Sequence, residues 1–211
     1  MSVFDFMIRN RVEVFQVTLE HLALVAIAMF IATLVGFPLG IALTRHRRLR
    51  APILGVANVI QTVPSLALFG FLIPVPLIGG IGPRTAVVAL VLYALLPILR
   101  NTFTGISSVD PAVLEAARGM GMTEDQILWQ VEIPLALTVI LAGIRVAAVI
   151  CIGLATIAAA IGAGGLGTFI YRGVSMVNDQ VILAGAIPAA VLAILADVLF
   201  GWAERRMAAI T

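Results

Sequence analysis

The chain has 211 residues, of which 62% are hydrophobic and 11% are charged, and its mean hydropathy is +1.14. Soluble domains are usually about 45–50% apolar and about 25% charged, so this composition excludes an ordinary soluble domain and indicates a membrane protein. The formal charge is only +2, and all thirteen basic residues are arginines. Because a P-loop needs a lysine to reach the nucleotide phosphates, the chain cannot hydrolyse ATP by that route.

The first 43 residues predict an interfacial helix followed by a membrane span. Residues 1–18 are too charged to cross a bilayer, but four apolar residues recur there at helical spacing: Phe4, Ile8, Val12 and Phe15. Residues 22–43 form an almost uninterrupted apolar run. About 20 residues cross a hydrocarbon core of roughly 30 Å, so this run is the first predicted span.

A short arginine-rich loop follows the first span and sets the predicted orientation. It contains Arg45, Arg47, Arg48 and Arg50. A patch for nucleic acid or lipid headgroups is the alternative, but arginines beside a span usually mark the cytoplasmic side. We therefore predict five spans, with the N-terminus outside and the C-terminus in the cytoplasm. In that arrangement nine arginines lie on or near the inner side and four on the outer side.

The second predicted span, residues 52–77, is irregular. It carries a set of polar residues and a proline at membrane depth: Asn58, Gln61, Thr62, Pro64 and Ser65. Such residues are tolerated there only when they face protein or a water-filled path. Two interpretations remain open, namely lining of a transport pathway and hydrogen bonding between helices.

Three further spans are predicted at residues 84–103, 135–160 and 181–202. Arg145 lies inside the fourth span, where we expect it to reach toward the cytoplasm or to pair with an acid of the preceding polar loop, in a structural role. Asp197 lies near the inner end of the fifth span. We expect it to be solvated there rather than to relay protons.

The remaining motifs do not indicate a cofactor or a metal. Gly162, Gly164 and Gly167 match G-x-G-x-x-G, but a dinucleotide fold needs a strand before this motif, whereas here a span precedes it, so we expect a close-packed outer turn. A single cysteine and two histidines cannot build a zinc site or a disulfide framework. We expect Cys151 to be a small core residue.

Residues 108–134, SVDPAVLEAARGMGMTEDQILWQVEIP, form a polar segment between two spans. The first of two predicted helices starts at the N-cap Asp110 and stops at Gly119, since glycine readily takes the left-handed conformation that ends helices. The second starts with a capping box at Thr123 and ends before Pro134.

The charge of this segment argues against nucleic acid. Two helices joined by a glycine turn also describe a DNA-binding motif. Between positions 110 and 132, however, five acids face one base, Arg118. The resulting balance of −4 would be repelled by phosphates, so we expect no nucleic-acid partner.

The same segment resembles the EAA loop of the membrane subunits of ATP-binding-cassette (ABC) importers. That pattern reads EAA, three residues, Gly, nine residues, then I-x-L-P. The corresponding residues, with the methionine after the glycine, are Glu115, Ala116, Ala117, Gly121, Met122, Val131, Ile133 and Pro134. Val131 and Ile133 depart from the commonest residues but remain aliphatic. The resemblance implies that this loop is the coupling helix, which docks into a groove of a cytoplasmic ATPase.

Residues 16–203 as a whole resemble a type I (MetI-like) ABC importer permease domain. Residues 60–74, IQTVPSLALFGFLIP, and 161–173, IGAGGLGTFIYRG, are similar to permeases for osmoprotectants, that is, quaternary amines such as glycine betaine, carnitine and choline. The implied location is the bacterial inner membrane, with lipid around the spans.

The resemblance also implies a set of partners. Two permease chains, identical or paralogous, form the pathway, and two ABC ATPase subunits bind ATP and Mg. A separate periplasmic or lipid-anchored binding protein delivers the substrate. We expect no cofactor and no catalytic residue in this chain itself.

Three other functions remain as alternatives. One is an importer for an amino acid such as methionine, which shares the five-span layout. Another is a channel or proton-coupled carrier that uses Asp197 and Arg145 without ATP. A membrane enzyme is disfavoured, since the sequence contains no evident nucleophile and base pair or metal cluster.

Overall fold

The long apolar runs of the sequence fold as helices in a computed structural model that describes residues 3–208. No strand is present in this range. The α-helices are α1 Val3–Arg9, α2 Arg11–Arg45, α3 Arg47–Thr62, α4 Ser65–Leu72, α5 Pro83–Ser107, α6 Pro111–Gly119, α7 Glu124–Ile127, α8 Ile133–Ala158, α9 Gly167–Ser175 and α10 Asp179–Ala208.

Four helices of the described residues are long and apolar enough to cross a membrane: α2, the helix Pro83–Ser107, the helix Glu124–Ile161 and α10. The number rises to five if α3 and α4, which meet at an angle of 105°, count as one span. Four of the predicted spans fall on these helices, whereas the second, residues 52–77, covers most of α3, all of α4 and the turn residues that follow Leu72. The predicted interfacial segment is not a single element, since α1 ends at Arg9 and Arg11 already begins the first long helix. Residues 1 and 2 lie outside the described part.

Close contacts between neighbouring helices define two ends of the bundle. A Cβ on Gly36 of α2 would lie 3.1 Å from Ile98 of α5, and a Cβ on Gly40 would lie 2.6 Å from Thr102, four residues further along each helix, so α2 and α5 run side by side in the same direction. A Cβ on Gly143 of α8 would lie 2.7 Å from the Pro97 oxygen of α5, and Arg145 of α8 pairs with α10. Within residues 3–208, four long helices therefore run between the two ends, and the segment of α3 and α4 leads the chain back from the end of α2 to the start of α5.

One end, which we call the hairpin end, carries the polar segment, the arginine-rich loop and the end of α10. The other, the glycine end, carries α1, the loop before α5 and the turn at residues 162–165. There the Gly165 amide donates to Glu20 of α2 at 3.1 Å, and His21 Nε2 lies 3.2 Å from the Ile152 oxygen. The predicted close-packed turn is confirmed. Gly162 and Gly164 both have positive φ, at 73° and 81°.

Small side chains fill the centre of the bundle. Ala28, Ala86, Ala147 and Ala155 are fully buried, and small residues let helices approach closely in membranes. Cys151 belongs to the same core, with its Sγ 3.6 Å from the Leu90 oxygen. The prediction that Cys151 is a small core residue is confirmed.

Candidate functional site

The first helix of the polar segment starts as its sequence predicts. Oδ1 of Asp110 accepts a hydrogen bond from the Ala112 amide at 2.8 Å, which satisfies one of the free amides of the first turn. Pro111 occupies the first helical position, where its missing N–H costs nothing. We call the whole segment, residues 108–134, the hairpin.

The turn of the hairpin is built on Gly121 rather than on Gly119. Gly119 is still helical, whereas Gly121 has φ +82°. The Met122 amide donates to the Ala117 oxygen at 3.2 Å and the Gly121 amide to the Arg118 oxygen at 2.9 Å. This pair of bonds is the Schellman motif, which places the left-handed residue just after the helix. The helix does end at Gly119, as predicted, but the left-handed residue of the turn is Gly121 and not Gly119.

The second helix starts with the predicted capping box. The Thr123 hydroxyl accepts from the Gln126 amide at 3.3 Å, and Gln126 Oε1 accepts from the Thr123 amide at 2.8 Å. Arg118, on the first helix, donates from Nε to Glu124 on the second at 3.0 Å. This hydrogen bond, reinforced by the attraction of opposite charges, lowers the pKa of the Glu124 carboxyl. Both side chains are exposed, so the pair orients the hairpin more than it stabilises it.

The second helix does not end before Pro134, as the sequence predicted. A π-helical turn, Leu128–Glu132, joins α7 directly to α8. Proline has no N–H and its ring clashes with the carbonyl four residues back, which here belongs to Gln130. The wider turn lets Ile133 donate to Leu128, five residues back, so the helix continues past the proline.

The residues of the EAA pattern divide into an inner and an outer set. Ala117 is buried inside the hairpin, together with Ile127 of α7. Glu115, Ala116 and Gly121 are exposed. The remaining pattern residues, Met122, Val131, Ile133 and Pro134, are half-buried at the inner turn and at the start of α8.

Two large apolar side chains extend the exposed face of the hairpin. Met120 is 76% exposed and Trp129 is 60% exposed. Methionine and aromatic residues are enriched at protein interfaces, so apolar groups beside carboxylates give this face the character of a docking surface. The sequence prediction did not single out Met120 or Trp129 as docking residues. Their position beside the predicted turn and capping box was the available signal.

An ion pair between a buried carboxylate and a guanidinium side chain that is 37% exposed lies at the base of the hairpin. Glu132 is only 3% exposed, and Arg45, the last residue of α2, binds it with two hydrogen bonds, Nη2–Oε2 at 2.5 Å and Nη1–Oε1 at 3.2 Å. The sequence prediction missed this pair. An acid between the aliphatic residues Val131 and Ile133 was a usable signal, because a buried carboxylate needs a partner.

A second arginine of the loop after α2 also has a defined structural role. Arg50 donates to the Leu43 oxygen at 2.7 Å and to the Thr44 oxygen at 2.8 Å, and thereby satisfies free carbonyls at the end of α2. Its guanidinium lies 5.1 Å from the ring centre of Phe103 on α5. Arg50 thus ties the start of α3 to both neighbouring helices.

The irregular second predicted span consists of α3 and α4, which we call the bent pair and which is hydrogen-bonded to α5. Gln61 donates to the Tyr93 oxygen at 3.0 Å, and the Tyr93 hydroxyl donates to the Val63 oxygen next to the bend. Gln61 therefore serves hydrogen bonding between helices. The other candidate residues are Asn58, Thr62 and Pro64, which are exposed, and Ser65, which is half-buried at the start of α4.

Arg145 binds acids of α10 and not of the polar loop. It donates to Asp197 at 2.7 and 2.9 Å and to Glu204 at 3.3 Å. The expectation of a partner in the loop is wrong. Asp197 is 46% exposed and therefore accessible to solvent, as expected, but it also binds Arg145. The pair staples α8 to α10, since the two side chains lie at the same height on adjacent antiparallel helices.

A cavity of about 690 Å³ opens at the glycine end between α2, α5 and the turn at residues 162–165. Its walls are mainly aliphatic, with Glu20 and Arg84 as charged groups. The cavity does not include the candidate residues of the bent pair. The structure therefore does not bring the predicted pathway residues into this cavity.

The bundle and the hairpin define an all-helical, multi-pass membrane protein with a polar appendage at one end. Residues 32–209 match the model of the family described as binding-protein-dependent transport system inner membrane component. The chain belongs to this family, and it is accordingly a multi-pass protein of the cytoplasmic membrane.

Curated relatives resemble the chain over most of its length. The carnitine transport permease protein OpuCD of Listeria monocytogenes is 51% identical over 189 residues, which cover 89% of this chain and 83% of the relative. The glycine betaine/carnitine/choline transport system permease protein OpuCD of Bacillus subtilis is 48% identical, with coverage of 90% and 82%. The osmoprotectant import permease protein OsmW of Salmonella typhimurium is 48% identical, with coverage of 93% of each chain. These relatives are transport permeases and not enzymes.

Solved structures share the fold at low identity. A chain of the inward-facing MetNI methionine ABC transporter superposes with a TM-score of 0.85 at 23% identity and covers 94% of this chain and 98% of that one. A chain of an amino acid ABC transporter solved with histidines gives a TM-score of 0.79 at 21% identity, with coverage of 96% and 98%. At this identity the likeness shows the fold alone.

Proposed function

We propose that the chain is the permease subunit of an ABC importer for osmoprotectants, quaternary amines of the carnitine, choline and glycine betaine class. The observation that carries the proposal is identity of about one half to permeases named for these solutes, over about nine tenths of the chain. An importer for an amino acid such as methionine is less supported, since its relatives in solved structures are only 23% identical.

In this proposal the hairpin is the docking site of a separate ATPase that binds ATP and Mg. Its exposed face combines Glu115 with the apolar side chains of Met120 and Trp129, a mixture suited to a protein groove. The hairpin also shares one end of the bundle with the arginine-rich loop, and arginines beside spans favour the cytoplasmic side. The glycine end then faces outward, toward a solute-binding protein.

The translocation path is formed together with a second permease chain. Asn58, Thr62 and Pro64 are exposed on the bent pair, although they lie in a predicted span. The Thr62 hydroxyl already donates to the Val59 oxygen at 2.7 Å, but the exposed amide of Asn58 needs protein or water as a neighbour at membrane depth, which a partner permease or a water-lined path between the two chains would supply. Ser65, at the start of α4, belongs to the same candidate set.

An ATP-independent channel or proton-coupled carrier has less support. Such a function would use Asp197 and Arg145, but these residues bind each other through two hydrogen bonds. Both oxygens of the Asp197 carboxylate are therefore engaged by the Arg145 guanidinium.

Uptake of labelled glycine betaine tests the proposal in bacteria that lack their own osmoprotectant importers and express this chain with its ATPase and binding protein. The Glu115→Lys variant reverses a charge on the docking face, so uptake should fall by roughly tenfold or more and the ATPase should no longer co-purify. Asp179→Lys, the same charge change at the glycine end, is the control for co-purification. Normal uptake and co-purification in Glu115→Lys would refute the docking role, and uptake without any ATPase would refute the importer.

A further inference from the structure

We propose that the Arg45–Glu132 ion pair transmits the movement of the hairpin to α2, the first span. The inference rests on the proposed function, because it assigns a mechanical partner to the docking site. Glu132 and Arg45 are positioning residues, since they act through the hairpin and not on the solute. The inference adds a third helix to the two that the hairpin joins along the chain, α5 and α8.

The geometry of the pair fixes one relative position of the two elements. Each of the two guanidinium Nη atoms donates to a different carboxylate oxygen, at 2.5 and 3.2 Å. The carboxylate belongs to Glu132, which is almost fully buried. A two-pronged bond of this kind has a preferred plane and register. Displacement of the hairpin along α2 would leave a buried carboxylate without a partner, which is strongly unfavourable. The end of α2 must therefore follow the hairpin, or the pair must break.

The apolar contacts around the pair do not impose the same restriction. Phe37 and Ile41 of α2 pack against the same apolar cluster as Leu128 and Ile133 of the hairpin base. Hydrophobic burial is non-directional, so such a surface can slide at small cost in free energy. The ion pair is the directional contact between these two elements.

The other arginines of the loop show that Arg45 does more than mark the cytoplasmic side. Arg47 and Arg48 are exposed, and the side chain of neither forms an ion pair or hydrogen bond within residues 3–208. They satisfy the positive-inside rule as well as Arg45 does. Only the position of Arg45 at the end of α2 brings a guanidinium to Glu132, so Arg48 offers a matched control.

The test compares solute imported per ATP hydrolysed for the full importer, with its ATPase and binding protein, reconstituted in vesicles. Arg45→Gln and Glu132→Gln should lower this ratio by about tenfold, within the usual range for coupling between two sites, while the ATPase still co-purifies. Arg48→Gln removes the same charge and should keep the wild-type ratio. The charge swap Arg45→Glu with Glu132→Arg should restore at least half of it.

The ratio separates transmission from a purely structural role. A structural pair would lower import and hydrolysis in proportion, together with the thermal midpoint, and that result would overturn the inference. A wild-type ratio in Arg45→Gln would also overturn it. If neither single variant assembles, the double variant with the exchanged charges decides. An assembled double variant that imports little solute per ATP hydrolysed rejects transmission, and one with a restored ratio supports it. A wild-type importer that carries no osmoprotectant would instead reject the proposed function.

Discussion

Gly119 and Gly121 lie in the same turn of the hairpin but have different backbone conformations. Gly121 has φ +82° and no atom within 4 Å of an added Cβ, so a side chain there is opposed by backbone conformation and not by lack of space. Gly121→Ala should destabilise the turn by about 1–2 kcal/mol, the usual cost of a left-handed non-glycine residue. Gly119→Ala should be neutral or stabilising by up to about 1 kcal/mol, because Gly119 is helical. Thermal midpoints of the purified variants check both values, and equal midpoints would contradict the Schellman turn.

The Arg145–Asp197 pair also makes a prediction at the scale of single residues. Asp197→Asn removes a charge from a partly exposed ion pair between α8 and α10. Because the pair staples two helices and does not relay protons, the variant should have a lower thermal midpoint but retain ATP-dependent uptake. Uptake and thermal unfolding of the same preparation measure the two effects. Complete loss of uptake in a stably inserted variant would favour the proton-coupled alternative.

Residue-scale features were predictable from sequence where their causes are local. The Asp110 cap and the Thr123 capping box depend on side chains within three residues, and both are confirmed. The Arg45–Glu132 pair joins residues 87 positions apart, so the sequence indicates at most that the buried acid needs a cation. The partner of Arg145 was predicted wrongly for the same reason, because it depends on which helix lies alongside.

At the scale of elements, the bend between α3 and α4 depends on its attachment to α5. Tyr93→Phe removes the hydroxyl that donates to the Val63 oxygen, and leaves that carbonyl without its partner. The expected cost is about 1–3 kcal/mol, the penalty for an unsatisfied buried polar group. The matched control is Tyr171→Phe, which alters the chain's other tyrosine, an exposed residue on α9. The difference in thermal midpoint between the two variants is the measurement, and no difference would show that the Tyr93 hydrogen bond does not stabilise the bend.

The long helices could be predicted from hydropathy, whereas the positions where they break or continue past a proline could not. Pro64 does coincide with a break, since α3 ends at Thr62 and α4 starts at Ser65. Pro134 was expected to end a helix in the same way, but there the chain inserts a π turn and continues. The outcome depends on whether the helix is held on both sides of the proline. Before Pro134, Glu132 is held by Arg45, and after it, Ala136 and Ile140 are buried in the apolar cluster of the hairpin base.

At the scale of the whole molecule, the two ends of the bundle provide a test of orientation. Val177 is 90% exposed beside α9 at the glycine end, and Met120 is exposed on the hairpin. The single native cysteine, Cys151, is buried and should not react, so each position can carry a new thiol without removal of Cys151. A membrane-impermeant maleimide on intact cells should label the Val177→Cys variant but should label Met120→Cys only after the membrane is opened. The reverse pattern would invert the proposed orientation.

The composition predicted an all-helical, multi-pass membrane protein, because long apolar helices follow from the membrane as a solvent. What it could not predict is how the passes pack, since close contacts such as that of Gly143 against Pro97 join segments far apart in sequence.

The π turn before Pro134 has a mechanical consequence for the whole molecule. Since the helix Glu124–Ile161 has no break over its 38 residues, it is a rod about 57 Å long at 1.5 Å per residue. A tilt of about 10° around its midpoint would swing each tip through about 5 Å, in opposite senses. If the hairpin is displaced, the opposite end of this helix would then move in the opposite direction and open or close the far end of the bundle.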